Sequence, residues 1–103
     1  MIRVTLHSRG EMITGFEVTG HAGYAEAGND IVCAAVSILT TTCANALESV
    51  AGVKPMVKAN EGHMLLALPS GSGHDAQVIL RSMRQGFRDL AGEYPRYLLL
   101  KEQ

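Results

Sequence analysis

One histidine and one cysteine bracket a glycine-rich stretch, GHAGYAEAGNDIVC, with His21 and Cys33 twelve residues apart. A thiolate attacks carbonyl carbon, and an imidazole can take the thiol's proton and hand it to a leaving amine. The pair therefore has the parts for acyl transfer, provided the segment between them folds back. Spacing alone does not compel that. Free cysteine is among the most buried residue types and commonly serves as a small hydrophobe.

The neighbours sharpen the chemical reading. Asp30 stands where a helix N-cap belongs, so Cys33 falls in the first helical turn. Unpaired N–H groups and the positive end of the helix dipole converge there; they favour thiolate and can serve as donors to an oxyanion. Asp30 has two competing roles for one carboxylate: capping the helix or orienting His21. Ser37, one turn beyond Cys33 on the same face, can line the site or bond back to its own backbone. Gly20, Gly23 and Gly28 make the loop between histidine and cysteine mobile, as a lid over substrate would be. Tyr24 and Glu26 in that loop either touch substrate or decorate it. Cys43, amid TTTCANA, has neither dipole nor base beside it and reads as packing. His7, His63 and His74 sit at strand ends and a helix start, and GSG (71–73) before the second helix is a weak anion-site signal.

Positioning these groups requires a scaffold, and the chain spells one out. IRVTLH (2–7) and ITGFEVTG (13–20) alternate as strands of a hairpin, followed by the loop and a long helix from the cap Asp30 to about Val50, stopped at Gly52. That helix is apolar almost all round in its first half, which predicts deep burial. PMVKAN (55–60) and HMLLALP (63–69) predict a second hairpin around EG. Ser72, with Asp75 three residues on, predicts the cap of a second helix over about 74–92, whose Ala76, Ile79, Leu80, Met83, Phe87, Leu90 and Ala91 form one apolar stripe. RYLLLKE (96–102) predicts a last strand. The order β-β-α-β-β-α-β predicts an α+β fold: a mostly antiparallel sheet with two helices packed on one face. The apolar MLLALP and YLLL segments favour covering the other face with a second subunit, hence a homodimer.

Composition bounds the rest. The 103 residues suit a single domain over 1–103, with one core. Nine basic against ten acidic residues give a net charge of −1, so no bulk field draws the chain to nucleic acid or an anionic membrane. The N-terminus MIRVTLHS alternates rather than forming a signal-peptide core, and no run reaches the roughly 20 apolar residues of a membrane span. A soluble, cytoplasmic protein is expected. Cys33 and Cys43 would lie roughly 15 Å apart along one helix, too far for a disulfide. No CxxC or zinc-ligand spacing occurs, so neither metal nor cofactor is expected.

The stretch TGHAGYAEAGNDIVCAAVS resembles the Prp family of ribosomal-processing cysteine proteases in its Gly-His-Ala pattern, the Asp before an apolar pair, and Val-Cys-Ala. Element order and length fit the same family. The resemblance implies a homodimeric α+β cysteine endopeptidase that removes a short N-terminal extension from a large-subunit ribosomal protein of the bacterial ribosome, cutting after an apolar aromatic residue. It makes His21 and Cys33 catalytic, sets Gly20, Asp30 and Ser37 around the substrate, and makes the intervening loop a mobile cover. The pattern loosens at Ala27, where relatives often carry histidine, and at TTC (41–43), where an aromatic and a glycine are common. The rival readings are a noncatalytic ribosome-associated or redox-sensing module with a structural Cys33, and an anion-binding module built on the helix start.

Overall fold

The computed structural model describes residues 1–26 and 28–103, so Ala27 lies outside the described residues. Seven elements follow one another: β1 (Ile2–Arg9), β2 (Met12–Thr19), α1 (Ile31–Ser49), β3 (Met56–Asn60), β4 (His63–Ala67), α2 (His74–Glu93) and β5 (Leu98–Glu102). The order is the one expected.

The five strands lie side by side as β3-β4-β2-β1-β5. Two hairpins, β1 with β2 and β3 with β4, join antiparallel through β2 and β4, and only β1 with β5 is parallel. Register carries the sequence alternation across the sheet. Leu6 stands opposite Phe16, Phe16 opposite Leu66, and Ile2 opposite Leu98, so these buried side chains share one face. Both helices pack on that face. Val32, Val36, Cys43 and Leu47 from α1 and Ala76, Leu80, Met83 and Phe87 from α2 complete the core with the strand residues. Phe16 and Phe87 meet edge to face at 6.4 Å, a favoured ring geometry. The buried Gln77 ties α2 to β2 by accepting from the Ile13 N–H and donating to the Ile13 carbonyl, each at 2.8 Å, which leaves its amide satisfied. The opposite face of the sheet carries Arg3, Thr5, Glu17, Lys58 and Lys101 among half-exposed apolar residues such as Leu65 and Leu99.

Three expectations change. The helix α1 is not buried all round: Val32, Val36, Thr40, Cys43 and Leu47 face the core, while Ile31 and Ile38 are 52% and 66% exposed. Two helices share one sheet face, so each keeps an outer side in solvent, however apolar. The same helix is, by length and composition alone, apolar enough to cross a bilayer, contrary to the sequence count; its inner face is instead spent on the sheet. The second helix is not capped by Ser72: Gly73 holds the N-cap position without a side-chain bond, and the Ser72 hydroxyl turns back to the Pro69 carbonyl.

Candidate active site

The site begins where β2 ends. Gly20 leaves the strand at φ +86, its N–H donating to the Gly62 carbonyl at 2.9 Å, and a Cβ there would sit 2.5 Å from the Met1 carbonyl oxygen. Only glycine satisfies both the positive φ and the close approach. The turn throws His21 outward across Gly62 of the β3–β4 hairpin, where a Cβ would stand 3.2 Å from the imidazole Nε2. Ala22 then plunges into the core at 4% exposure and points its N–H at the Cys33 sulfur, 3.3 Å away.

The first turn of α1 meets this loop from the other side. Asp30 is the N-cap: Oδ1 accepts from the Val32 and Cys33 N–H groups at 3.0 and 2.9 Å, and Oδ2 accepts from the Tyr24 N–H at 3.1 Å. The Cys33 amide is the main cause that holds the Asp30 carboxyl below the ordinary carboxylate value; the Tyr24 and Ala25 amides add to it against the cost of desolvation. Among the described residues the carboxylate's partners are backbone amides of helix and loop, with the Cys33 side chain as a weaker one, and His21 is not among them. The question of cap against orienting role therefore resolves, in this structure, to a cap that also grips the loop.

That cap changes one expectation about chemistry. The N–H groups of Val32 and Cys33 are taken by the Asp30 side chain and that of Ala34 by the Asp30 carbonyl at 3.0 Å. These helix-end amides are not free oxyanion donors. An aspartate good enough to cap the turn consumes the donors it organises. The donor aimed at the sulfur comes from the loop, at Ala22.

Two cavities meet at this point. One, of about 270 Å³, runs between α1 and the β3–β4 hairpin, with Val18, Val36, Ala59 and Met64 among its apolar walls. The other, of about 450 Å³, lies beneath the loop, walled by Gly23, Ala25, Gly28 and Asp30. His21, Cys33 and Ser37 line both. Gly20 borders the first and Asp30 the second, so all five residues singled out from the sequence come together. Ser37 is exposed at the junction, one turn along α1 from Cys33. Cys43 lies elsewhere in the core, its thiol pushed up to about 12 by burial, and both cysteines are free.

Sequence reasoning missed the hairpin wall and the Ala22 amide. The turn at Gly62 is 41 residues from His21 along the chain, and nothing local to EG (61–62) announces a neighbour. Tyr24, which the sequence leaves open between substrate contact and decoration, packs edge to face on Tyr94 and Tyr97, with centroids 5.8 and 5.0 Å away. His63 sits at the rim and pairs its Nε2 with Glu17 Oε2 at 2.6 Å. Among the described residues no three His, Cys, Asp or Glu side chains converge as a metal site.

A sulfur with an amide donor, an imidazole on the same cavity wall and an open groove on each side form a layout suited to a thiol attacking an extended peptide. Comparison with known proteins agrees. Residues 1–99 match the family model for cysteine protease Prp. The ribosomal processing cysteine protease Prp of Bacillus subtilis (strain 168) is 31% identical over 103 residues, covering 91% of this chain and 90% of the relative. Its counterpart in Staphylococcus aureus (strain Mu50) is 28% identical over 95 residues, covering 90% and 89%. The fold is similar to that of S. aureus Prp in complex with a covalently linked product peptide, with a TM-score of 0.95 and 27% identity over the whole of both chains. It is likewise similar to SMU.848 from Streptococcus mutans, with a TM-score of 0.91 and 34% identity over all of this chain and 94% of that one. With its whole length, fold and motif stretch in agreement, this chain belongs to the cysteine protease Prp family.

Proposed function

We propose that this protease removes the N-terminal extension of a large-subunit ribosomal protein, with Cys33 as nucleophile and His21 as its proton carrier. The observation that carries the reading is the meeting of both residues at the junction of two cavities, with the Ala22 N–H on the sulfur. An extended peptide crossing that junction would present its scissile carbonyl to the sulfur with chain on either side.

The Cys33 thiol yields its proton to His21, and the sulfur bonds to the carbonyl carbon, whose oxygen takes the negative charge. The Ala22 N–H is the donor in reach of that oxygen once the sulfur has spent its own charge. The tetrahedral intermediate collapses, the C–N bond breaks, and His21 protonates the departing amine. Water, losing a proton to His21, then attacks the thioester and frees the acid and the thiol. The 270 Å³ cavity, apolar along Val18, Val36, Ala59 and Met64, receives an apolar side chain beside the cut. Gly20 and Ser37 border the substrate on either side of the dyad, and Asp30 borders it by holding the helix start and loop together.

In this reading residues 1–103 act as one catalytic domain, working in the cytoplasm where ribosomes are assembled, as a homodimer that covers the open sheet face. The decisive experiment is cleavage of a synthetic peptide spanning the extension junction, followed by mass spectrometry. A single cut, with a Cys33-linked acyl adduct trapped on acid quench, is expected. No cut with the cognate ribosomal segment would overturn the assignment of substrate.

A further inference from the structure

The loop that carries His21 is anchored far from the chemistry. Tyr24 packs its ring on both Tyr94, at the end of α2, and Tyr97, just before β5, meeting each edge to face at 5.8 and 5.0 Å with interplanar angles of 86° and 74°. The Tyr24 backbone is held too, by its N–H on Asp30 Oδ2 at 3.1 Å. Two residues back along the loop, the Ala22 N–H reaches the Cys33 sulfur. Tyr24 is 41% exposed, so its ring is not a core residue placed by burial alone. Its partners are two other aromatic rings supplied from 70 and 73 residues away in the sequence. Apart from His21, Glu26 and Asn29 the rest of the loop is glycine and alanine, and an unanchored chain of that composition would sample many conformations.

We propose that Tyr24 is a positioning residue for the reaction. Its ring, clamped by Tyr94 and Tyr97, fixes the loop so that the Ala22 N–H stays on the sulfur and His21 stays in the shared cavity. The role rests on the protease reading, because what it positions is the thiol and its proton carrier. The clamp acts through geometry: loosening it leaves the nucleophile in place but lowers the fraction of time that base and amide donor are aligned with it. The cost falls chiefly on the chemical step, since the apolar cavity beside the cut involves the loop only at Gly20 and His21, and the smaller cost in KM comes from the cavity walled by Gly23, Ala25 and Gly28.

The test uses Tyr24→Ala, Tyr24→Phe and Tyr97→Ala in the full chain, with kinetics on the junction peptide and residue-resolved amide exchange. Tyr24→Ala should lower kcat by about ten- to a hundredfold, with KM within about threefold of wild type. Tyr24→Phe, which keeps the ring, should recover most of that loss. Tyr97→Ala should reproduce the Tyr24→Ala defect from outside the site, and the double variant should be no worse than either alone. Amide exchange should quicken at Ala22 and Tyr24 while the α2 amides around Leu80 stay protected. Unchanged loop exchange in Tyr24→Ala would overturn the clamp, and quicker exchange with undiminished kcat would overturn its catalytic consequence. A wild-type chain that leaves the peptide uncut would sink the protease reading alone, with the clamp still judged by exchange.

Discussion

Cys33 and Cys43 are the same residue on the same helix, ten positions apart, and the fold gives them opposite properties. Cys43 is 3% exposed and its thiol is pushed up to about 12 by burial, so at neutral pH it is a hydrophobe with a sulfur in it. Cys33 sits in the first turn of α1, half buried, beside two cavities and under the amide of Ala22. The difference owes nothing to residue type. It comes from what meets each position: for Cys43 the core, and for Cys33 a loop, a cap and open space.

The largest break in that comparison is loss of the sulfur itself. Cys33→Ala should abolish cleavage of the junction peptide, whereas Cys43→Ala should cleave at a rate close to wild type. Next comes the proposed proton carrier: His21→Ala should lower kcat by about 10²–10⁴-fold, the usual worth of a positioned general base, as read from steady-state rates against pH. Reaction with iodoacetamide at pH 7 separates the cysteines without any substrate, and peptide mapping should find Cys33 modified at least about a hundredfold faster, because a buried thiol ionising near 12 offers almost no thiolate.

Removing the cap tests how the first turn makes the difference. Asp30→Ala should lower kcat about tenfold or more by freeing both the helix start and the loop. The pH sign follows from the lowered carboxyl. Because Asp30 is held below its unfolded value, its cap is fully present above the ordinary carboxylate range and is lost as pH falls through the lower, folded value. Protection of the Val32 and Cys33 amides, taken relative to their intrinsic exchange rate at each pH, should therefore hold at pH 5 and fall only in stronger acid; lost protection already at pH 5 would contradict the capping geometry. The smallest effect belongs to the buried partner. Cys43→Ala leaves a small void worth on the order of 1 kcal/mol and should lower Tm by about 4–8 °C, measured by calorimetry.

Much of this was legible in the chain because it is local. Strand alternation, the Asp30 cap and the apolar stripe of α2 all express themselves within a few residues, and the turn at Gly20 and the first turn of α1 set His21 and Cys33 on the same two cavities. What escaped was contributed over long separations. Gly62 faces His21 only because β4 pairs with β2, and Tyr94 and Tyr97 reach Tyr24 only because α2 returns across the sheet to deliver β5 beside β1. The mistaken Ser72 cap has a local reason: Gly73 adopts φ +89, a conformation that takes the chain into α2 without a side-chain donor or acceptor. The free helix-end amides were a sound inference from dipole and geometry, undone by the strength of the aspartate cap.

The parallel pairing of β1 with β5 has a consequence for biosynthesis. The Ile2 N–H donates to the Tyr97 carbonyl at 2.8 Å, so the first strand waits for a partner made at the far end of translation. Pairings of such sequence separation close late. Tyr97 arrives with the same segment, and with it half of the seat for Tyr24. A chain still emerging from the ribosome thus carries His21 and Cys33 early but lacks the rings of Tyr94 and Tyr97 on which Tyr24 packs. The aromatic seat of the loop is therefore among the last parts of the fold to be completed.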